Sequence, residues 1–376
     1  MDSKYKSRNS SIELARIIGC LIVIGVHTLL GYEFEDGWDI SELFLAMVFA
    51  DGVAVFWLIT GAFIFNNNYC NLIKKSVHAI VVPMVSIGVI VFYLRDWILG
   101  FSSFFDSVNR SKDDYLRLLH CFVRWENGVD GLPHFWYLFV YLLLVLTYPI
   151  FKLFVDYLDS SKKNTLIFLI ISFVLLVIND ITLNELFSFS HHSINGLIPS
   201  AIITIWGHII YKNRNILSKK NAFFLVVVFL FTNLLRLYIQ VNRVNNGNTS
   251  KAIMYWFTSF GLVCSICIVC FCICIMENNF NNNINNAINY IGSYTMGIYL
   301  IHFLIRDYIW VNKIAEVIRL NTSDKINGFW GQCLFSLISI VTVFCVSFII
   351  VFLSRVLVYL YKKLKKVCQK YIFSQL

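Results

Sequence analysis

The stretch that decides the fold occupies residues 12–31 and reads IELARIIGCLIVIGVHTLLG. A helix needs about 20 mainly apolar residues to cross a bilayer, and this stretch has that length. It nevertheless contains Arg16 and His27, two side chains that are costly to place in hydrocarbon unless they are paired or hydrated. The stretch therefore predicts a membrane-spanning helix with a polar face that needs an explanation.

The composition of the whole chain agrees with a membrane protein. Of its 376 residues, 58% are hydrophobic, 16% are aromatic and only 14% are charged, and the mean hydropathy is +0.69. Soluble domains contain about 25% charged residues, so this chain has too few charges to cover a water-facing surface. The composition excludes a soluble enzyme, a disordered chain and a nucleic-acid module with a basic face.

Similar apolar runs recur along the chain. They predict an all-α polytopic integral membrane protein, a bundle of about ten transmembrane helices that forms a single domain over residues 1–376 with no appended soluble domain. The predicted spans lie near 12–31, 43–65, 77–99, 134–155, 165–183, 197–211, 221–240, 253–275, 288–309 and 330–358. Ser10 and Glu13 have the spacing of a capping box, which predicts that the first helix starts at Ser10. The Asn-rich stretch 278–289 is predicted to be a loop.

The net charge of +9 is interpreted mainly as an orientation signal. With ten spans both termini lie on one side, and the basic residues of that side outnumber those of the opposite loops. The positive-inside rule therefore predicts that both termini are cytoplasmic. The basic residues on that side are Lys4, Lys6, Arg8, Lys74, Lys75, Lys162, Lys163, Lys212, Arg214, Lys219, Lys220, Lys362, Lys363, Lys365, Lys366 and Lys370. A basic tail of this kind also suits anionic lipid headgroups.

Arg16 and His27 share one face of the first helix. Eleven steps of about 100° return close to the starting direction, and the rise between the two residues is about 16 Å. A permanently charged guanidinium suits a phosphate-bearing ligand, and a histidine suits proton abstraction from a hydroxyl near neutral pH. The spacing alone is equally compatible with a snorkelling arginine and a histidine bonded between helices.

Further polar residues lie in or beside the other predicted spans. Most are individually typical of interfacial anchors or interhelical hydrogen bonds, and the sequence does not say which of Asp180, His208 and Arg236 pair with one another. The set also includes Asp51, His134, Tyr294, Tyr299, His302, Arg306 and Asp307.

Five of the eleven cysteines lie in one span. We interpret them as small packing residues, and we predict neither a metal site nor a disulfide framework.

Four segments, taken in order, resemble the membrane-bound acyltransferase-3 family, of the type that O-acetylates glycans. Arg16 and His27, with ten residues between them, are similar to the family's hallmark in its first span. Residues 56–61, FWLITG, resemble its aromatic-rich Ser-Gly motif, with Thr60 in the serine position. The segments 134–138, HFWYL, and 293–302, SYTMGIYLIH, resemble its His-Leu-Trp-Tyr-Leu and Tyr-Leu-x-His segments.

The resemblance implies a reaction. Members of the family transfer an acyl group, usually acetyl, from cytoplasmic acetyl-CoA to a hydroxyl of a cell-surface or lipid-linked glycan, in the bacterial plasma membrane and in polysaccharide biosynthesis. Acyl-CoA is then a donor substrate, and no permanently bound cofactor is implied. The resemblance does not decide whether the acyl group is acetyl or succinyl. It also does not decide between direct transfer and transfer through an acyl-enzyme.

Carried over by position, the resemblance makes His27 the catalytic histidine and Arg16 its partner toward the donor. The family often has two arginines three residues apart before span three, and here Lys75 and His78 are only an approximate substitute. The residues predicted for CoA are thus Arg16, Lys74, Lys75 and His78, and those for the acceptor are His134, Trp136, Tyr137, Tyr299 and His302.

Two other classes of function remain open from the sequence. A secondary transporter or flippase also buries arginine and histidine along its pathway. A non-catalytic membrane scaffold would use the Arg16 and His27 face for packing alone. Consumption of acyl-CoA separates the first alternative from an acyltransferase, and tolerance of His27→Ala separates the second.

Overall fold

The computed structural model describes residues 8–29, 40–124, 132–182, 187, 193–246, 256–276, 281–322, 324–326 and 328–373. Helices dominate these residues. They are α1 (Ser10–Leu29), α2 (Ile40–Val48), α3 (Gly52–Ile64), α4 (Tyr69–Ser76), α5 (Val82–Ile98), α6 (Phe104–Val108), α7 (Lys112–Arg124), α8 (Trp136–Leu146), α9 (Tyr148–Asp159), α10 (Lys162–Ile181), α11 (Leu197–Lys212), α12 (Lys219–Asn245), α13 (Ser259–Met276), α14 (Asn282–Gly292), α15 (Thr295–Val311), α16 (Ile314–Asn321) and α17 (Phe329–Phe373). A π-helical turn over Val77–Val81 joins α4 to α5.

The all-helical, multi-pass character of the chain is confirmed, but the count of ten spans is not. In the described part of the chain, seven helical segments are long and apolar enough to cross a membrane, and up to nine if each of two bent pairs counts as one span. The predicted sixth span is α11, a helix of only 16 residues. At 1.5 Å per residue it is about 24 Å long, shorter than the ~30 Å hydrocarbon layer. The cytoplasmic position of the termini stays a prediction.

Two pairs of consecutive helices are bent where they meet. The helical segments Pro133–Leu146 and Tyr148–Asp159 meet at 69°, and Pro149 lies in the first turn of α9, where its missing N–H costs nothing. The second pair, α14 and α15, meets at 53° around Ser293 and Tyr294. The second break lies beside the candidate site, since Gly292, Ser293 and Thr295 line the cavity described below.

The prediction of a loop over 278–289 is wrong where the structure describes it, because α14 begins at Asn282. The side chain of Asn281 accepts a hydrogen bond from the backbone N–H of Asn283 at 3.1 Å, which caps the helix. Asn289 is buried where α14 packs against α1. Asparagine favours caps and turns over helix interiors, so packing against α1 overrides the local preference. Residues 278–280 lie outside the described part.

Burial divides the helices into a central and a peripheral group. α10 and α12 leave most apolar side chains exposed, with Ile170 at 56% and Phe223 at 78%. α3 and α13 bury most of theirs. An apolar outer surface of this extent is expected where lipid is the solvent. The inner helices therefore define the polar interior, and the outer ones face the bilayer.

The tightest helix contact joins α3 and α11. A Cβ atom on Gly61 would lie 1.8 Å from the carbonyl oxygen of Thr204, and one on Gly207 would lie 2.1 Å from that of Leu58. Small residues allow membrane helices to approach backbone to backbone. This contact fixes α3, whose opposite face carries Phe56 and Thr60 toward the candidate site.

Candidate active site

Three histidines from distant parts of the chain meet inside the bundle. His27 is near the end of α1, His134 precedes α8, and His302 is in α15. The ring centroids of His27 and His302 are 5.5 Å apart, and those of His134 and His302 are 4.7 Å apart. Phe303 contacts both outer members, with centroid distances of 4.9 Å to His27 and 5.1 Å to His134. We call His27, His134 and His302 the histidine cluster.

His302 has a defined tautomer within this cluster. Its Nδ1 lies 2.7 Å from the carbonyl oxygen of Tyr299, a group that can only accept, so Nδ1 carries the hydrogen. Nε2 then holds the lone pair, and it is buried with no hydrogen-bond partner among the described residues. The phenol of Tyr299 donates to the carbonyl oxygen of His134 at 2.5 Å. Tyr299 thereby ties two members of the cluster together.

Arg306 closes the far side of the cluster, one turn after His302. Its Nη1 donates to the carbonyl oxygen of His27 at 3.2 Å, and its guanidinium lies 3.7 Å from the ring centroid of Phe303. Asp307 accepts hydrogen bonds from the same guanidinium and forms a 3.5 Å ion pair with Arg95. Charged groups thus attach the end of α1 that carries His27 to α15, and attach α15 to α5.

A cavity of about 960 Å³ approaches the cluster from the other end of α1. Its deep wall is aromatic and includes Phe56, Tyr137 and Tyr299. Tyr299 also contacts the rings of His134 and His302, at centroid distances of 5.1 and 5.7 Å. The histidines themselves do not line the cavity. A ligand that fills it therefore reaches the cluster at Tyr299.

Arg16 lines this cavity and is held by a buried carboxylate. Its Nη1 donates to Glu13 Oε1 at 2.8 Å and to Oε2 at 2.9 Å, and Arg8 forms a 3.1 Å ion pair with the same Oε2. The predicted start of α1 at Ser10 is confirmed, but Ser10 and Glu13 do not form the capping box. Asn9 accepts from the N–H of Ser11 at 3.0 Å, while the Glu13 carboxylate bonds to the two arginines.

The other residues predicted for CoA are only partly brought to this cavity. Lys75 lines it and donates to Asn67 Oδ1 at 3.0 Å. Lys74 and His78 are exposed and do not line it, because α4 and the π turn direct them elsewhere. Their assignment to CoA stays a prediction that this geometry does not support.

The residues predicted for the acceptor divide in the same way. Tyr137 and Tyr299 line the cavity, and His134 and His302 form the cluster behind them. Trp136 instead stacks on Trp256 at a centroid distance of 5.7 Å and does not line the cavity. It packs α8 into the bundle.

Two arginines at the cavity were missed as site residues. The sequence assigns Arg8 only to orientation, and it assigns no role to Arg355 within the predicted span 330–358. An ionisable residue inside an apolar span is a functional signal in its own right. That signal was present for Arg355, whereas the sequence pattern contains nothing that brings Arg8 and Arg355 to one cavity.

Asp180, His208 and Arg236 each contact a different partner among the described residues. Arg236 bonds to both carboxylate oxygens of Asp51, at 3.0 and 3.2 Å. His208 lies 3.1 Å from Asp159, and Asp180 accepts from the Ser259 hydroxyl at 2.5 Å. These three pairs lie outside the cavity and stabilise helix contacts.

The histidine cluster, the basic cavity and the apolar helices together define a multi-pass membrane protein with a polar site inside the bundle. A family model described as an acyltransferase domain matches residues 9–353. The chain belongs to the acyltransferase-3 family. Comparisons with curated proteins and with solved structures returned no significant match.

Proposed function

We propose that this protein transfers an acyl group, most simply acetyl, from cytoplasmic acetyl-CoA to a hydroxyl of a cell-surface or lipid-linked glycan, with His27 as general base. The observation that carries the proposal is the cavity, which has cationic side chains at one end and the histidine cluster beyond Tyr299 at the other. A donor with phosphates at one end of a long arm and a thioester at the other suits this arrangement.

In this mechanism the phosphates of CoA contact Arg16 and Lys75, and the pantetheine arm runs along the aromatic wall toward Tyr299. The hydroxyl oxygen of the acceptor attacks the thioester carbonyl carbon while His27 takes the hydroxyl proton. The carbon–sulfur bond then breaks, the new ester is released, and the proton passes from His27 to the CoA thiolate. Atoms and charges balance without a further reactant.

The most direct test uses the purified full-length protein with acetyl-CoA and surface glycans isolated from a host that lacks this chain. We expect release of free CoA thiol that depends on the glycan, and a glycan mass increase of one acetyl group. Thiol release without a glycan product would overturn the acceptor. Movement of the glycan across vesicles without thiol release would overturn the acyltransferase proposal in favour of a transporter.

Arg16→Ala is expected to impair use of the donor more than the chemical step. Hydrogen bonds to charged groups contribute about 1.5–3 kcal/mol, so the KM for acetyl-CoA should rise by about 10–100-fold with a smaller change in kcat. The measurement is the dependence of initial rate on acetyl-CoA at a fixed glycan concentration. Arg214→Ala is the matched control, since Arg214 lies against Tyr211 and away from the cavity. An unchanged KM in Arg16→Ala would exclude Arg16 from the donor site.

A further inference from the structure

We call the end of the cavity that carries its cationic side chains the mouth. It carries more positive charge than the predicted donor residues account for. Four cationic side chains line the cavity: Arg8, Arg16, Lys75 and Arg355. No carboxylate lies among the described residues that line it, and Glu13 is shared by Arg8 and Arg16. Lys75 and Arg355 form no ion pair with the residues that the structure describes. This excess of positive charge favours an anionic ligand.

Arg355 reaches the mouth from α17 and is held in place by the break between α14 and α15. Its Nη2 donates to the carbonyl oxygen of Ser293 at 2.6 Å, and its Nη1 donates to the Ser293 hydroxyl at 3.2 Å. The guanidinium also lies 3.9 Å from the ring centroid of Tyr294. These contacts use two of its five N–H donors, and the others are available to a ligand.

The same break also fixes the Glu13 carboxylate. Gly292 faces Glu13 so closely that a Cβ atom there would lie 2.4 Å from Oε2. Glu13 in turn holds Arg8 and Arg16 through the contacts described above. Residues 292–294 therefore contact Arg355 on one side and Glu13, which holds Arg8 and Arg16, on the other. All three arginines lie at the same mouth as a result.

We infer that Arg355 and Arg8 join Arg16 and Lys75 in one phosphate-binding site at the mouth of the cavity. The ligand is a phosphate ester. Its identification as the nucleotide part of CoA rests on the proposed function. Guanidinium groups held by neighbouring contacts bind phosphate with two parallel hydrogen bonds, which a lysine does not provide. Glu13 and Ser293 are positioning residues.

The test measures binding of unacylated CoA to the purified full-length protein, so that no acceptor or turnover is needed. Arg355→Gln and Arg8→Gln are each expected to raise the Kd of CoA by about 10–100-fold, the range for lost charged hydrogen bonds. Pantetheine, which lacks the phosphates, should bind the variants and the natural protein equally. Arg319→Gln, on α16 and outside the cavity, is the matched control.

Two further measurements separate the explanations. Arg355→Lys keeps the charge but loses the planar fork, and an intermediate CoA affinity at an unchanged thermal midpoint would distinguish ligand contact from a folding defect. Measurements in nanodiscs with and without anionic lipid test whether the phosphate belongs to a lipid headgroup. If Arg355→Gln retains less anionic lipid while its CoA affinity is unchanged, the assignment of the site to the donor is overturned.

The proposed function and this site fail in different ways. CoA affinity that falls in both glutamine variants, in a protein that transfers no acyl group, would support the site and contradict the proposed function. Normal CoA affinity in both variants, in a protein that acylates the glycan, would contradict the site alone.

Discussion

Replacing His27 by alanine is expected to lower acyl transfer by about 10²–10⁴-fold, the usual contribution of a positioned general base. His27 lies 5.5 Å from His302 between ring centroids, and its carbonyl oxygen is held by Arg306, so the backbone at this position stays attached to α15 after the side chain is removed. The measurement is kcat from free CoA thiol release with acetyl-CoA and glycan, together with the amount of protein recovered from membranes.

The matched control is His208→Ala. His208 is a buried histidine elsewhere in the bundle, where it pairs with Asp159 and does not line the cavity. We expect its variant to retain near-normal turnover. Near-normal turnover in His27→Ala as well would remove His27 from the mechanism, and a non-catalytic scaffold would then explain its position.

Asp51→Ala is expected to lower the free energy of unfolding by about 3–5 kcal/mol, because it leaves the Arg236 guanidinium buried without its carboxylate. Both side chains are 0% exposed, and the pair joins the start of α3 to the middle of α12. Thermal unfolding of the purified protein in detergent should show a lower midpoint and a smaller monodisperse fraction.

The double variant Asp51→Ala with Arg236→Met should recover much of the lost stability, since it removes the buried charge as well. Asp113→Ala is a matched control on the exposed face of α7, where the change should stay within about 0.5 kcal/mol. An unfolding midpoint for Asp51→Ala equal to that of the natural protein would show that this pair does not stabilise the bundle.

The apolar segments and the Arg16 and His27 face were predictable because both follow from local periodicity. The all-helical, multi-pass architecture and the acyltransferase-3 family were therefore within reach of the sequence. The number of spans was not, because the 16-residue length of α11 and the bends within the two helix pairs are not marked in the sequence.

What the sequence could not supply is the pairing of residues that are far apart. Arg236 finds Asp51 at a separation of 185 residues, and Arg355 finds Ser293 at a separation of 62. Neither separation is set by a helical period, so only the packing of the helices selects these partners. The same holds for α14, whose asparagine-rich composition favours a loop until α1 covers it.

The bend between α14 and α15 and the helix that follows it fix the distance from the mouth of the cavity to the histidine cluster. Ser293, at the bend, anchors the guanidinium of Arg355, while Tyr299 and His302 lie further along α15 in the interior. From Thr295 to His302 the helix rises about 10 Å, and this length does not change when surrounding helices tilt. In the proposed mechanism, a donor bound at the mouth is positioned along this helix, and an arm of a different length would place its thioester above or below the histidines.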